Sequence, residues 1–142
     1  MLHLKDADGD SWLDVVELLG ERQVHDIVLC LYPDEEGAGF PSPFTHPEAP
    51  QHLERATTYP GDLEPPCSAR VPVSGAILDL LRAHAGEFED WGDSLVLYPP
   101  RENRWVAAFI PHERMVLVRD EHLYGYLDAA GVPVTFEAPD PW

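Results

Sequence analysis

The chain has 142 residues and a formal net charge of −17, because 26 acidic residues stand against only 9 lysines and arginines. This length predicts a single domain over residues 1–142, with its own hydrophobic core. The acidity argues against binding to nucleic-acid phosphates or to anionic membranes, since both need clustered basic residues. No apolar run approaches the roughly 18 residues of a membrane-spanning helix, and the N-terminus does not resemble a secretory signal, so we expect a cytoplasmic protein.

The first predicted element is a helix from Ser11 to Leu19, whose apolar residues recur at helical spacing. These residues are Trp12, Val15, Val16 and Leu19. Gly20 is a natural end to the helix. A strand is predicted next, over Val24–Tyr32. Its centre is apolar at consecutive positions, which is typical of a central strand covered on both faces.

Between Pro33 and Pro72 the sequence contains nine prolines and few periodic apolar residues, which predicts a long loop or insertion. Cys67 lies in this segment, whereas Cys30 lies in the preceding strand. The two share no metal-binding spacing. We interpret Cys30 as a buried small hydrophobe and Cys67 as a loop thiol. A disulfide between them stays open, because a disulfide depends on geometry that spacing does not reveal.

A short strand is predicted at Arg70–Val73, followed by a helix with Ser74 as its N-cap. The buried stripe of this helix is Ile77, Leu78 and Leu81, and the helix is expected to end at Gly86. Glu87–Gly92 is interpreted as an acidic connector.

Three apolar runs separated by short polar turns then predict an antiparallel meander. The runs are Ser94–Tyr98, Arg104–Ile110 and Met115–Val118. Asp120 is expected to cap a helix that ends at Gly131, with Leu123, Tyr124 and Leu127 on its apolar face, and a last strand follows at Val132–Phe136. The order of elements predicts an α+β fold, a mostly antiparallel sheet of about five to six strands with about three helices packed on it.

The acidic residues near the N-terminus resemble an EF-hand calcium loop in their spacing. Loop positions 1, 3, 5, 9 and 12 are taken by Asp6, Asp8, Asp10, Asp14 and Glu17. The resemblance implies a calcium site built from these carboxylates, since Ca²⁺ takes six to eight oxygen ligands. The sequence departs from the family at loop position 6, where Ser11 replaces glycine, and it lacks an entering helix and a second hand. The alternative is a helix start with Ser11 as N-cap.

No catalytic motif is present: the sequence contains no P-loop, no dinucleotide fingerprint and no HExxH pair. We therefore expect a binding function more than an enzymatic one. A small enzyme with a pocket between the sheet and the Pro-rich segment is a further alternative, to which the sequence assigns no catalytic residues.

Our first functional hypothesis is a protein-binding module, of the inhibitor or immunity type, that covers a basic surface of a partner. Acids concentrate in Asp6–Asp14, Asp34–Glu36 and Glu87–Asp93, and such charge accelerates association with a basic partner. Aromatic side chains beside the acids would anchor the complex. The predicted partner-binding residues are Phe40, Glu87, Phe88, Glu89, Asp90, Trp91 and Asp93.

Overall fold

The computed structural model describes residues 1–30, 41–44, 53–56 and 67–137. Six strands form one sheet in the order β1-β6-β5-β4-β2-β3, and every neighbouring pair is antiparallel. The strands are β1 (Leu2–Leu4), β2 (Asp26–Cys30), β3 (Val71–Pro72), β4 (Ser94–Tyr98), β5 (Ala107–Ile110) and β6 (Met115–Val118).

Within the described residues, four α-helices accompany the sheet, which confirms the predicted α+β class. They are α1 (Gly9–Gly20), α2 (Gly75–Ala83), α3 (Phe88–Trp91) and α4 (Tyr124–Ala129). A 3₁₀ turn at Ala85–Glu87 joins α2 to α3, and two further 3₁₀ turns lie at Pro111–Glu113 and Glu121–Leu123. The sequence predicted about three helices. The additional one is the short α3, where an acidic connector was expected.

The meander is confirmed: β4 and β6 have the predicted bounds, and β2 and β3 lie within the predicted ranges but are shorter in the residues described. β5 begins at Ala107, three residues later than predicted. The prediction missed β1, which pairs with β6 at one edge of the sheet. The predicted last strand, Val132–Phe136, is wrong within the residues described: it contributes one isolated bridge, between Thr135 and His3. A three-residue strand such as β1 is too short to show alternation, which explains why it was missed.

Both faces of the sheet are buried. Along β4, Leu95 and Leu97 belong to one apolar cluster, which includes the helices, and Val96 and Tyr98 belong to a second cluster on the opposite face. On the helix side, the ring of Trp12 stacks on that of Phe109 with their centroids 6.1 Å apart. This two-sided burial explains why the central strands are apolar at consecutive positions.

The second apolar cluster contains both cysteines. Cys67, which was predicted to be a loop thiol, forms an antiparallel bridge with Cys30, and both residues are buried. That interpretation of Cys67 is therefore wrong. Phe40 and Asp34–Glu36, which were predicted to take part in partner binding, lie outside the described residues.

Helix α1 starts two residues earlier than predicted, because Asp8 is its N-cap and Ser11 is not. The backbone N–H and the hydroxyl of Ser11 both donate to Oδ1 of Asp8, each at 2.8 Å. Residues 9–17 are consequently helical, so the backbone does not form an EF-hand loop there. These hydrogen bonds from Ser11 hold the pKa of Asp8 below its ordinary value.

Replacing the capping residue tests this helix start. Asp8→Ala leaves the first-turn N–H groups without their acceptor, so we expect it to lower the free energy of unfolding by about 0.5–2 kcal/mol. Asp79→Ala, at an exposed position within α2, is the control and should change it by less than about 0.5 kcal/mol. Urea denaturation measures both. Equal effects of the two substitutions would contradict the capping role of Asp8.

Candidate functional site

The first turn of α1 makes a close backbone contact with the 3₁₀ turn at Ala85–Glu87. Gly9 lies at this contact: a Cβ atom there would stand 2.3 Å from the carbonyl oxygen of Ala85 and 3.0 Å from Cδ2 of Phe88. Only glycine therefore lets the two segments approach this closely. As a result, the acidic segment before α1 and the acidic segment around α3 meet on one surface of the protein.

A groove of about 240 Å³ lies along this contact. Its apolar lining comes from Phe88, Phe109 and Pro111, and its charged lining from Asp8, Glu89 and Arg114. Four small residues complete its lining: Ala7, Gly9, Ala85 and Gly86. We call this feature the acidic groove. It combines an apolar floor with carboxylates contributed by two separate segments.

Several carboxylates near the acidic groove are available to a partner. Within the described parts of the chain, Asp10, Glu89 and Asp90 are exposed and form no ion pair. Glu87 is paired with His84: its Oε2 lies 2.8 Å from Nδ1 of the imidazole ring. Arg114 offsets part of the negative charge, and its proximity lowers the pKa of Asp8 further.

Two of the predicted aromatic anchors are buried in the core. Phe88 is 1% exposed and Trp91 is 5% exposed, and their ring centroids are 5.0 Å apart in the core. The carboxylate of Asp93 is buried as well. These three side chains, which were predicted to bind a partner, are therefore not exposed in the structure. The reason is that Phe88 and Trp91 are three residues apart on α3, which places both on its inward face.

Other residues of the acidic groove were not predicted from the sequence. Gly9 carried only a general signal: a glycine permits close approach of two backbone segments but does not indicate which segment approaches it. Phe109, Pro111 and Arg114 carried none, since they reach the groove from β5 and the turn that follows it. Phe88 was predicted as an anchor and contributes part of the floor instead.

The five residues predicted as calcium ligands do not surround one point. Asp8 caps α1, and Asp14 and Glu17 both accept hydrogen bonds from Nη2 of Arg82, at 3.3 and 2.7 Å. Among the described residues, no group of three or more histidines, cysteines or carboxylates is placed to hold a metal ion. Calcium binding stays a prediction from the sequence alone.

A second cavity, also of about 240 Å³, lies between the end of α1 and the turn at Glu121–Leu123. Its polar lining is Arg22, Gln23, His25 and Asp120. His25 is 4% exposed, and its Nδ1 has no hydrogen-bond partner in the part of the chain that the structure describes. Burial lowers the pKa of His25, although the Gln23 backbone and the Asp26 carboxylate oppose the shift.

The lowered pKa of His25 predicts a loss of stability in mild acid. Below about pH 6.5 an unfolded chain gains a proton at His25 that the folded chain takes up only at lower pH, so protonation favours unfolding. Between pH 7 and pH 5 the free energy of unfolding should fall less steeply in His25→Gln than in the wild-type protein, by up to about 1.4 kcal/mol per pH unit. Chemical denaturation at several pH values measures this. His122→Gln, at an exposed position, is the control, and equal slopes in all three proteins would contradict the prediction.

The contact at Gly9 predicts an unusual response to alanine. Alanine ordinarily stabilises a helix relative to glycine by up to about 1 kcal/mol, but at position 9 the new Cβ would collide with backbone. We expect Gly9→Ala to cost about 1–3 kcal/mol. The matched control is Gly20→Ala at the other end of α1, where a Cβ meets no atom within 4 Å and should be neutral or stabilising. Stabilisation by both substitutions would exclude the close contact.

We compared the chain with protein-family models, with curated proteins and with solved structures, and none of the three comparisons finds a match. Among the helices of the described residues, none is both long and apolar enough to cross a membrane.

Proposed function

We propose that this protein is an acidic protein-binding module, of the inhibitor or immunity type, that covers a basic surface of a partner protein. The observation that carries the proposal is the acidic groove, where two acidic segments distant in sequence flank an apolar floor. Carboxylates brought together on one surface attract a cationic partner more strongly than the same charges spread over the molecule.

The size and lining of the acidic groove favour a side chain of a protein over a small-molecule ligand. Its volume, about 240 Å³, lies below the roughly 300–1,000 Å³ of typical ligand pockets. An arginine or lysine has an apolar stem and a charged end. The stem would lie against Phe88 and Phe109, and the cation would meet the carboxylates of Asp8 and Glu89.

The net charge of the whole chain supports the same function. A charge of −17 steers a basic partner toward the protein, and dissolved salt weakens this steering because the screening length is about 8 Å at physiological ionic strength. Arg114 opposes the attraction locally, so its removal should favour binding.

The cytoplasmic location expected from the sequence stays a prediction.

The competing explanation is that the acidity serves solubility alone, and paired charge reversals separate the two. The groove variant carries Glu89→Lys and Asp90→Lys. Its control carries Glu21→Lys and Asp128→Lys, two exposed positions that do not line the groove. Both variants have the same net charge, so any difference between them reports on the groove. A third variant, Arg114→Glu, makes the groove more negative.

Partners are captured on immobilised wild-type protein, identified by mass spectrometry, purified and measured by surface plasmon resonance. For a basic partner we expect the groove variant to associate about tenfold or more slowly and the control to associate at nearly the wild-type rate. Arg114→Glu should associate faster. Raising the salt concentration from about 0.05 to about 0.5 M should slow the wild-type association as well.

Two results would remove the proposal. One is an equal slowing in the groove variant and in the control, which would assign the effect to net charge. The other is an association rate that does not depend on salt, even for a tight complex, because the acidic residues would then contribute nothing to recognition.

A further inference from the structure

The two cysteines of the chain meet on the face of the sheet opposite to the helices. Their sulfur atoms are 2.6 Å apart, and Cys30 and Cys67 pair across an antiparallel bridge. Such cross-strand pairs have Cα atoms about 4.5–5.5 Å apart, which falls within the range that a disulfide spans. Two hydrogen bonds beside them set this register: Ser68 N–H donates to the carbonyl of Leu29 at 2.8 Å, and Leu29 N–H donates to Oγ of Ser68 at 2.9 Å.

The surroundings of the two thiols differ. Nη1 of Arg55 lies 3.4 Å from the sulfur of Cys67. The hydrogen bond between the two sulfurs lowers the pKa of Cys67, and the Arg55 guanidinium lowers it further, whereas burial and the charge of Asp93 raise it. The same hydrogen bond, together with burial, raises the pKa of Cys30. When the pair loses one proton, the thiolate therefore forms on Cys67, and Cys30 keeps its proton.

We propose that Cys30 and Cys67 are a redox pair that hydrogen peroxide converts into an intramolecular disulfide, which closes the chain between them into a covalent loop. The proposal rests on the bridge geometry, on the contact between the sulfurs and on the Arg55 guanidinium, which lies 3.4 Å from the sulfur of Cys67. It is independent of the acidic groove, which lies on the other face of the sheet. Hydrogen peroxide is the oxidant in this proposal because a small neutral molecule can reach thiols that are only 1–2% exposed.

The reaction has two steps. The Cys67 thiolate attacks one oxygen of hydrogen peroxide, the O–O bond breaks, hydroxide leaves, and Cys67 becomes a sulfenic acid. Cys30 then gives up its proton and attacks the sulfur of Cys67, which releases a second hydroxide and forms the S–S bond. The two protons from the thiols convert both hydroxides to water. One peroxide is reduced and two thiols are oxidised, with a disulfide and two waters as products.

The test uses the intact chain, first fully reduced, then exposed to hydrogen peroxide in native buffer and again in urea. Intact-mass spectrometry and a free-thiol assay follow the reaction. We expect the native protein to lose both thiols together and to become lighter by two hydrogen atoms, and dithiothreitol should reverse the change. The oxidised protein should melt roughly 6–16 °C higher than the reduced one, since a cross-link between distant residues restricts the unfolded chain.

Three variants assign the roles of the side chains. Cys30→Ser removes the second thiol, so Cys67 should gain oxygen and form no disulfide. Arg55→Gln should slow disulfide formation near neutral pH by roughly tenfold, because a higher pKa of Cys67 leaves less thiolate. Arg104→Gln removes a more exposed guanidinium from the same side of the protein and should leave the rate unchanged.

Four results would overturn the proposal. Two concern the products: oxygen adducts on the native wild-type protein without loss of hydrogen, or disulfide-linked dimers in place of the intramolecular bond. The other two are the absence of a reaction in native buffer under conditions that oxidise the urea-unfolded chain, and an oxidised form that melts no higher than the reduced one. An unchanged rate in Arg55→Gln would overturn the assignment of Cys67 as the attacking thiolate.

Discussion

Two-sided burial of the sheet is the constraint on which the other features of this protein depend. Every residue of β4 is buried, from Ser94 to Tyr98, and β5 and β6, the next two strands on one side of it, are buried throughout. A strand covered on both faces has almost no place for charge. The acidic residues are therefore displaced to helices, turns and edges, and a chain with a net charge of −17 acquires its acidic surface as a consequence.

The contact at Gly9 brings part of this surface charge together at the acidic groove. Without a Cβ, the first turn of α1 approaches the carbonyl of Ala85 closely enough to join two acidic segments that are far apart in the sequence. The groove along this contact is lined by the rings of Phe88 and Phe109 and by Asp8 and Glu89. The acidic groove thus depends on one small residue, and its charge and its apolar floor come from different elements.

The opposite face of the sheet has a separate chemistry. Cys30 ends β2, and Cys67 pairs with it across an isolated bridge shortly before β3 begins, so the two thiols meet at the end of β2. Tyr98 belongs to the same buried cluster and donates a hydrogen bond to the carbonyl of Glu54 at 2.7 Å. The sheet therefore separates the acidic groove, which we propose as a binding surface, from the buried pair of thiols.

The amino-acid sequence by itself determined the class of fold and its main elements. The apolar runs of the meander, the cap at Ser74 and the helical spacing of Trp12 and Leu19 are local signals, because each depends on a few neighbouring residues and on the period of one element. The net charge likewise needs no structure. These features were sufficient to predict an α+β fold and an acidic surface.

Only the tertiary structure decided which of these residues meet. Phe88 and Trp91 turned inward because α3 packs on the core. The pairing of Cys30 with Cys67 and the approach of Gly9 to Ala85 join residues distant in sequence. Such contacts depend on the packing of the whole chain, and no local pattern of residues encodes them.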